Sequence, residues 1–265
     1  MDNRYIALLD SGIGGISTLN EMVKIMPNER YIYFGDNLNA PYGNRTVYDL
    51  YSRAINNISL IKGYGVKAII LACGTLSSNL LGKIRDREGE SVFGVFPPVE
   101  STVMKYNKVL LLATQRTAER YQGIKNLTAI GLPNLAKDIE RNMFSLERVN
   151  VLPHLQNAGV KGRFDAVILG CTHYIFIKNQ ILDHFCPQFL TDGNHFTAKA
   201  VKNFLENKKS SVNYYQNKVL FAGNCSKINK EFCVRSGQKC LNQWIFLQKI
   251  SKNFKKRVDS GQNVW

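Results

Sequence analysis

Two stretches of this chain are nearly the same phrase. Ala68-Ile-Ile-Leu-Ala-Cys73-Gly74-Thr75 and Ala166-Val-Ile-Leu-Gly-Cys171-Thr172-His173 each run an apolar segment into a cysteine, then open the next segment with a small or hydroxyl residue. The cysteines stand 98 residues apart, about the size of a small α/β unit. Two halves related by an internal repeat explain the match, with a chance likeness of two buried strands as the alternative. Ligands of open α/β sheets bind beyond the carboxyl ends of strands, so halves that face each other would bring both thiols to one cleft. Such a pair suits the inversion of a stereocentre, where a proton leaves one face of a carbon and another arrives on the opposite face. A single base that keeps its proton tends to restore the original hand. A thiolate and a thiol can exchange roles and serve both directions, and cysteine's ordinary pKa of about 8.5 keeps both forms accessible near neutral pH. N–H groups of Gly-rich turns and helix starts would hold the substrate's carboxylate and the developing carbanion without adding competing bases.

The elements that must position these thiols alternate along the chain. Tyr5–Leu9 reads as a strand that stops at Asp10-Ser11-Gly12-Ile13-Gly14-Gly15, with an amphipathic helix following through Met26. Arg30–Phe34, Ala68–Ala72, Val92–Phe96, Val109–Ala113 and Ala166–Leu169 are further strands, Val47–Gly63 is a helix, and Thr114–Tyr121 is a turn and helix. Apolar strands separated by helices predict parallel sheets covered on both faces, an α/β fold.

Composition bounds the rest. A chain of 265 residues, 45% hydrophobic, can bury a substantial core. No transmembrane run is present, and the amino-terminal segment goes straight into a strand rather than a basic-then-apolar leader. A cytoplasmic protein that does not engage membranes is expected. No Cys-x-x-Cys pair and no Cys/His cluster of zinc spacing occurs, so no metal is expected. Cys186, Cys225, Cys233 and Cys240 read as buried, inert thiols. The net charge is +15, and +11 of it lies between Lys199 and Trp265. This segment is either a solvated basic face or an electrostatic footprint for nucleic acid, and without a groove-reading motif only weak, non-specific binding is expected.

A family resemblance rests on an ordered set of motifs. Asp10-Ser11-Gly12-Ile13-Gly14-Gly15, Tyr33-Phe34-Gly35-Asp36, Pro41-Tyr42-Gly43, Leu71-Ala72-Cys73-Gly74-Thr75 and Leu169-Gly170-Cys171-Thr172-His173-Tyr174 resemble the signatures of glutamate racemase, in order as far as Phe221-Ala222-Gly223-Asn224. The resemblance implies two pseudo-symmetric α/β sandwich domains with the site between them: residues 1–97 with 206–265, carrying Cys73, and residues 98–205, carrying Cys171. It implies a homodimer that interconverts L- and D-glutamate without a cofactor, supplying the D-isomer for peptidoglycan. Cys73 and Cys171 would be the acid/base residues, assisted by Asp10 and His173. Asp10, Ser11, Tyr42, Gly43, Gly74, Thr75, Thr117, Thr172 and His173 would bind the amino-acid substrate.

Residue types alone leave other roles open. Asp10 and Ser11 could cap the following helix, Tyr42 could be a half-buried turn aromatic, and His173 a satisfied core histidine. Asp36 reads as a turn residue bonding its own backbone, and His154, His184 and His195 as structural or surface residues. The chain also departs from the family. Gly74 stands where the family has Asn, Ile175 where it has Pro, the stretch from Thr117 to Pro133 is short, and Phe221–Asn224 is a degraded strand end. Gly74 motivates two alternatives: a racemase of another amino acid such as aspartate, or a catalytically weakened binding protein that uses the basic C-terminal region. Restoring the amide by Gly74→Asn is expected to lower the KM for glutamate, because a hydrogen-bond donor returns.

Overall fold

The structure, a computed structural model, describes residues 4–207, 218–223, 226–235 and 244–246. The chain begins with β1 (Tyr5–Asp10), α1 (Gly15–Ile25), β2 (Arg30–Gly35), α2 (Val47–Lys62), β3 (Val66–Leu71), α3 (Gly74–Glu88) and β4 (Val92–Gly94). It continues through α4 (Val99–Val103), β5 (Val109–Ala113), α5 (Gln115–Glu119), β6 (Leu127–Gly131), α6 (Leu135–Arg141), α7 (Leu152–Asn157), β7 (Ala166–Leu169), α8 (Lys178–Phe185) and β8 (Phe189–Asp192). It returns through α9 (Asn194–Asn207), β9 (Lys218–Ala222), α10 (Ser226–Arg235) and β10 (Trp244–Phe246). The strands form a six-stranded sheet in the order β10-β9-β2-β1-β3-β4 and a four-stranded sheet in the order β6-β5-β7-β8. Every pairing in both sheets is parallel, as the alternation of apolar strands and helices requires.

The period-two geometry of the strands explains why their sequences are continuously apolar. Along β1, Ile6 and Leu8 enter one core while Tyr5, Ala7 and Leu9 enter another, so no position faces water. In the smaller sheet Leu110, Leu112, Val167 and Leu169 face the same core as Ile6 and Leu8, whereas Val109, Leu111, Ala166 and Ile168 face a third. One hydrophobic core therefore runs unbroken between the two sheets. Side chains of this size contribute about 1.5–3 kcal/mol each when fully buried.

Two local signals set the helices beside the site. Thr46 caps α2, its hydroxyl accepting from the Asp49 N–H at 3.2 Å, with Asp49 in the first turn and Lys62 in the last. The residue before α3 is Cys73 itself, and Cys171 likewise precedes the 3₁₀ turn Thr172–Ile177. Each thiol thus stands where a strand ends and a helical turn begins.

The structure corrects the reading of two other cysteines. Cys186 is exposed because it ends α8 in the left-handed conformation (φ 43°), which places it outside the helix. Cys233 is buried on α10 but disulfide-bonded rather than an inert thiol. Cys225, Cys240 and most of the basic segment from Lys199 onward lie outside the described residues. Among the described residues no helix is long and apolar enough to cross a membrane.

Candidate active site

The carboxyl ends of β3 and β7 meet, and their cysteines line one cavity with Ser11, Tyr42, Gly43, Gly74, Thr75, Thr172 and His173. Two residues outside the sequence reading, Thr114 and Ala136, complete part of its wall. Thr117 is fully buried one step behind the wall. Thr114 Oγ1 donates to its hydroxyl at 3.1 Å and lies 3.1 Å from Thr75 Oγ1. His154 pairs with Asp138 and His195 with Glu21, and neither lines the cavity.

The two thiols have different surroundings. Cys73 Sγ points at Ser11 Oγ, 3.9 Å away. Burial, and then the neighbouring Asp10 carboxylate, push its pKa up to about 12, against weaker help from the Leu76 N–H and Ser11. Cys73 therefore rests as a thiol at neutral pH. Asp10 is wholly buried; its Oδ2 accepts from the N–H groups of Gly12 and Gly15, both at 3.0 Å. Burial raises its pKa, partly offset by His173 and those two N–H groups. Its other oxygen, Oδ1, is buried without a hydrogen-bond partner among the described residues.

Cys171 Sγ lies 3.7 Å from His173 Nδ1, and His173 Nε2 lies 2.6 Å from Glu140 Oε1. Burial opposes a charge on His173, but its hydrogen bonds to Cys171 and Glu140 prevail and raise its pKa well above the ordinary value. These two neighbours favour the imidazolium form of the ring, in which both nitrogens donate. Glu140 comes from α6 and also accepts from the Ile13 N–H at 2.7 Å. Sequence reasoning missed it. The signal available was an acid on the otherwise apolar inner face of the helix Leu135-Ala-Lys-Asp-Ile-Glu140-Arg, where Leu135, Ala136 and Ile139 are buried.

These contacts explain the Asp-Ser-Gly-x-Gly-Gly motif. A Cβ on Gly12 would sit 1.7 Å from Glu140 Oε1, and one on Gly14 would sit 2.4 Å from His173 Nδ1. Bare glycines let the loop after β1 press against the residues that serve Cys171. The N–H groups of Gly12, Ile13 and Gly15 are engaged by Asp10 and Glu140, so this turn organises acids of the protein rather than the substrate's carboxylate, as the Gly-rich pattern had suggested.

Tyr42 is buried, and its hydroxyl donates to Asp36 Oδ2 at 2.6 Å. Burial and that carboxylate raise its pKa, so it stays a neutral hydroxyl. Asp36 holds the Tyr42 connection with its side chain: its other oxygen accepts from Asn39 Nδ2 at 2.8 Å.

The cavity is tight, about 10 Å³, room for a single water. Binding an amino acid requires this cavity to widen. Gly74 packs against the β7 strand end, where a Cβ would sit 2.8 Å from the Gly170 carbonyl oxygen. Backbone cannot swing aside as a side chain can. Gly74→Ala is therefore expected to hold the thiols farther apart, lowering kcat/KM for glutamate by roughly tenfold or more, since a misplacement of about 1 Å can cost 10²-fold. The same contact opposes the gain expected of Gly74→Asn, whose amide arrives with a Cβ. Steady-state kinetics of both variants provide the check; unchanged kcat/KM in Gly74→Ala would show that the sheet ends part freely.

No family model matches the chain. It is 32% identical over 219 residues to glutamate racemase from Clostridium novyi, covering 77% of this chain and 85% of that relative. It is similar to the solved glutamate racemase of Thermus thermophilus in complex with β-chloro-D-alanine, with a TM-score of 0.75 and 26% identity over 94% of this chain and 98% of the other. A glutamate racemase isoform from Bacillus anthracis shares the fold, with a TM-score of 0.78 and 21% identity over 94% and 99% of the two chains. Matched in sequence along most of its length and in the fold that joins the two cysteine-bearing strand ends, the chain belongs to the glutamate racemase family, an isomerase family of amino-acid racemases.

Proposed function

We propose that the chain interconverts L- and D-glutamate by two-base proton transfer at the α-carbon, without a bound cofactor, and so supplies D-glutamate for peptidoglycan in the cytoplasm. The observation that carries this reading is the pair of thiols in one cavity, each at a strand end, with Cys73 beside the Ser11 hydroxyl and Cys171 beside the His173 ring. In one direction the thiolate of Cys171 takes the α-proton as the C–H bond breaks, leaving its electron pair on the carbanion. The Cys73 thiol then gives its proton to the opposite face, becoming the thiolate. The reverse reaction exchanges the roles. Asp10 assists Cys73 because the two buried groups cannot both carry negative charge cheaply, which favours sharing one proton between them. His173, held by Glu140, can supply or accept the proton of Cys171.

In this proposal Ser11, Tyr42, Gly43, Gly74, Thr75 and Thr172 hold the substrate's carboxylates and ammonium, and Thr117 acts from behind through Thr114. The enzyme works as a homodimer. A racemase of a different amino acid is the second reading, favoured by the bare Gly74 and the tight cavity. Circular dichroism of the purified protein incubated with L- and D-glutamate, then with aspartate and other amino acids, tests both. Loss of optical rotation with glutamate from either enantiomer is the expected result. Activity confined to another amino acid would transfer the function to that substrate.

A further inference from the structure

The wall of the cavity that carries Tyr42 and Gly43 is held from outside by a ring of charged residues. That wall is the connection between β2 and α2. From the inner side, Asp36 accepts from the Tyr42 hydroxyl at 2.6 Å and from Asn39 Nδ2 at 2.8 Å. From the outer side, Arg45 donates through Nε to the Asn39 carbonyl and through a terminal nitrogen to Asp49 Oδ2 on the first turn of α2, both at 2.9 Å. The other oxygen of Asp49 accepts from Arg53 Nε at 2.9 Å. Arg53 closes the ring, its guanidinium 4.0 Å from Asp36 Oδ2. Neither arginine nor Asp49 lines the cavity.

We propose that Arg45, Asp49 and Arg53 are positioning residues for the amino-acid site, fixing the Tyr42–Gly43 wall in place beside Cys73. The inference rests on the racemase reading only for what the site binds. Ion pairs about 30% exposed, as these are, add little to folding stability. Their effect is expressed as geometry instead. Arg45 spans two acceptors on different elements with a rigid planar fork, which a lysine cannot reproduce. The wall it secures has no slack, since a Cβ on Gly43 would already touch Thr114 at 3.0 Å.

The test uses the full chain with Arg45→Ala, Arg45→Lys, Asp49→Asn and the Arg45→Ala/Asp49→Asn double variant. Peptide-resolved alkylation by iodoacetamide reads the wall without relying on activity. Cys73 is expected to react several-fold faster in the Ala and Asn variants while Cys171 keeps its rate. Racemisation kinetics should show KM for glutamate raised roughly 5–10-fold with kcat within about twofold, a modest displacement by the standard of 10² per ångström. The double variant should be no worse than the singles, and Arg45→Lys should remain impaired. An unchanged Cys73 rate in Arg45→Ala, or an equal rise at both thiols that marks general loosening, would overturn the proposal. A wild-type chain inactive on glutamate would sink the functional reading instead, and the alkylation rates would still decide this one.

Discussion

Cys73→Ala and Cys171→Ala are each expected to abolish racemisation of both enantiomers, not of one alone. Each thiol faces the cavity from its own strand end, so a variant lacking one has no donor for that face. Enantiomers have equal free energy, which fixes the equilibrium constant at one and forces kcat/KM to fall equally in the two directions. The expected loss is about 10²–10⁴-fold or more, the usual worth of a positioned acid or base. Deuterium exchange at the α-carbon separates the half-reactions. With Cys→Ser at one position, the remaining thiol should still exchange the proton on its own face for solvent deuterium from one enantiomer, with inversion lost. Circular dichroism measures inversion, and proton NMR in deuterium oxide measures exchange. Racemisation near the parental rate in either Ala variant would remove the two-base mechanism.

The second large effect is expected at Glu140. Glu140→Gln keeps an oxygen for the Ile13 N–H and the His173 ring but removes the charge that helps hold His173 protonated. A hydrogen bond to a charged group is worth about 1.5–3 kcal/mol, so kcat should fall by roughly 10–100-fold. The sign with pH follows from the direction of the His173 shift. Its folded pKa is raised well above 6.5, so the stabilisation from the imidazolium is fully present below the unfolded value and is lost as pH rises through the folded one. Without the carboxylate that loss comes at lower pH. The alkaline limb of the rate profile should therefore move to lower pH in Glu140→Gln, with the deficit smallest in acid. NMR titration of the His173 ring checks the shift directly. An unmoved titration with reduced activity would assign Glu140 a purely structural role.

Much of the fold was legible because burial on both faces leaves a plain mark. Strands such as Val109-Leu-Leu-Leu-Ala and Ala166-Val-Ile-Leu are apolar at every position, and the structure places them as strands over those same residues. Edge elements carried less signal. Leu127-Thr-Ala-Ile-Gly forms β6 at the edge of its sheet, where half-buried positions admit polar residues and blur the pattern. Cys186 and Cys233 were misread because thiol burial and pairing depend on chain neighbours that a residue type does not announce.

By itself the sequence determined the α/β class, the doubled strand–cysteine phrase and most of the side chains that gather in the cavity, because each of these is written in local pattern. Only the tertiary structure decided how those residues act on one another. Glu140 reaches His173 and Ile13 across 33 and 127 residues of chain. Thr114 displaces Thr117 from the cavity wall, and Gly74 is held bare by the Gly170 carbonyl. Such contacts join segments remote in sequence, and their energies depend on distances of a few ångströms that no spacing along the chain encodes.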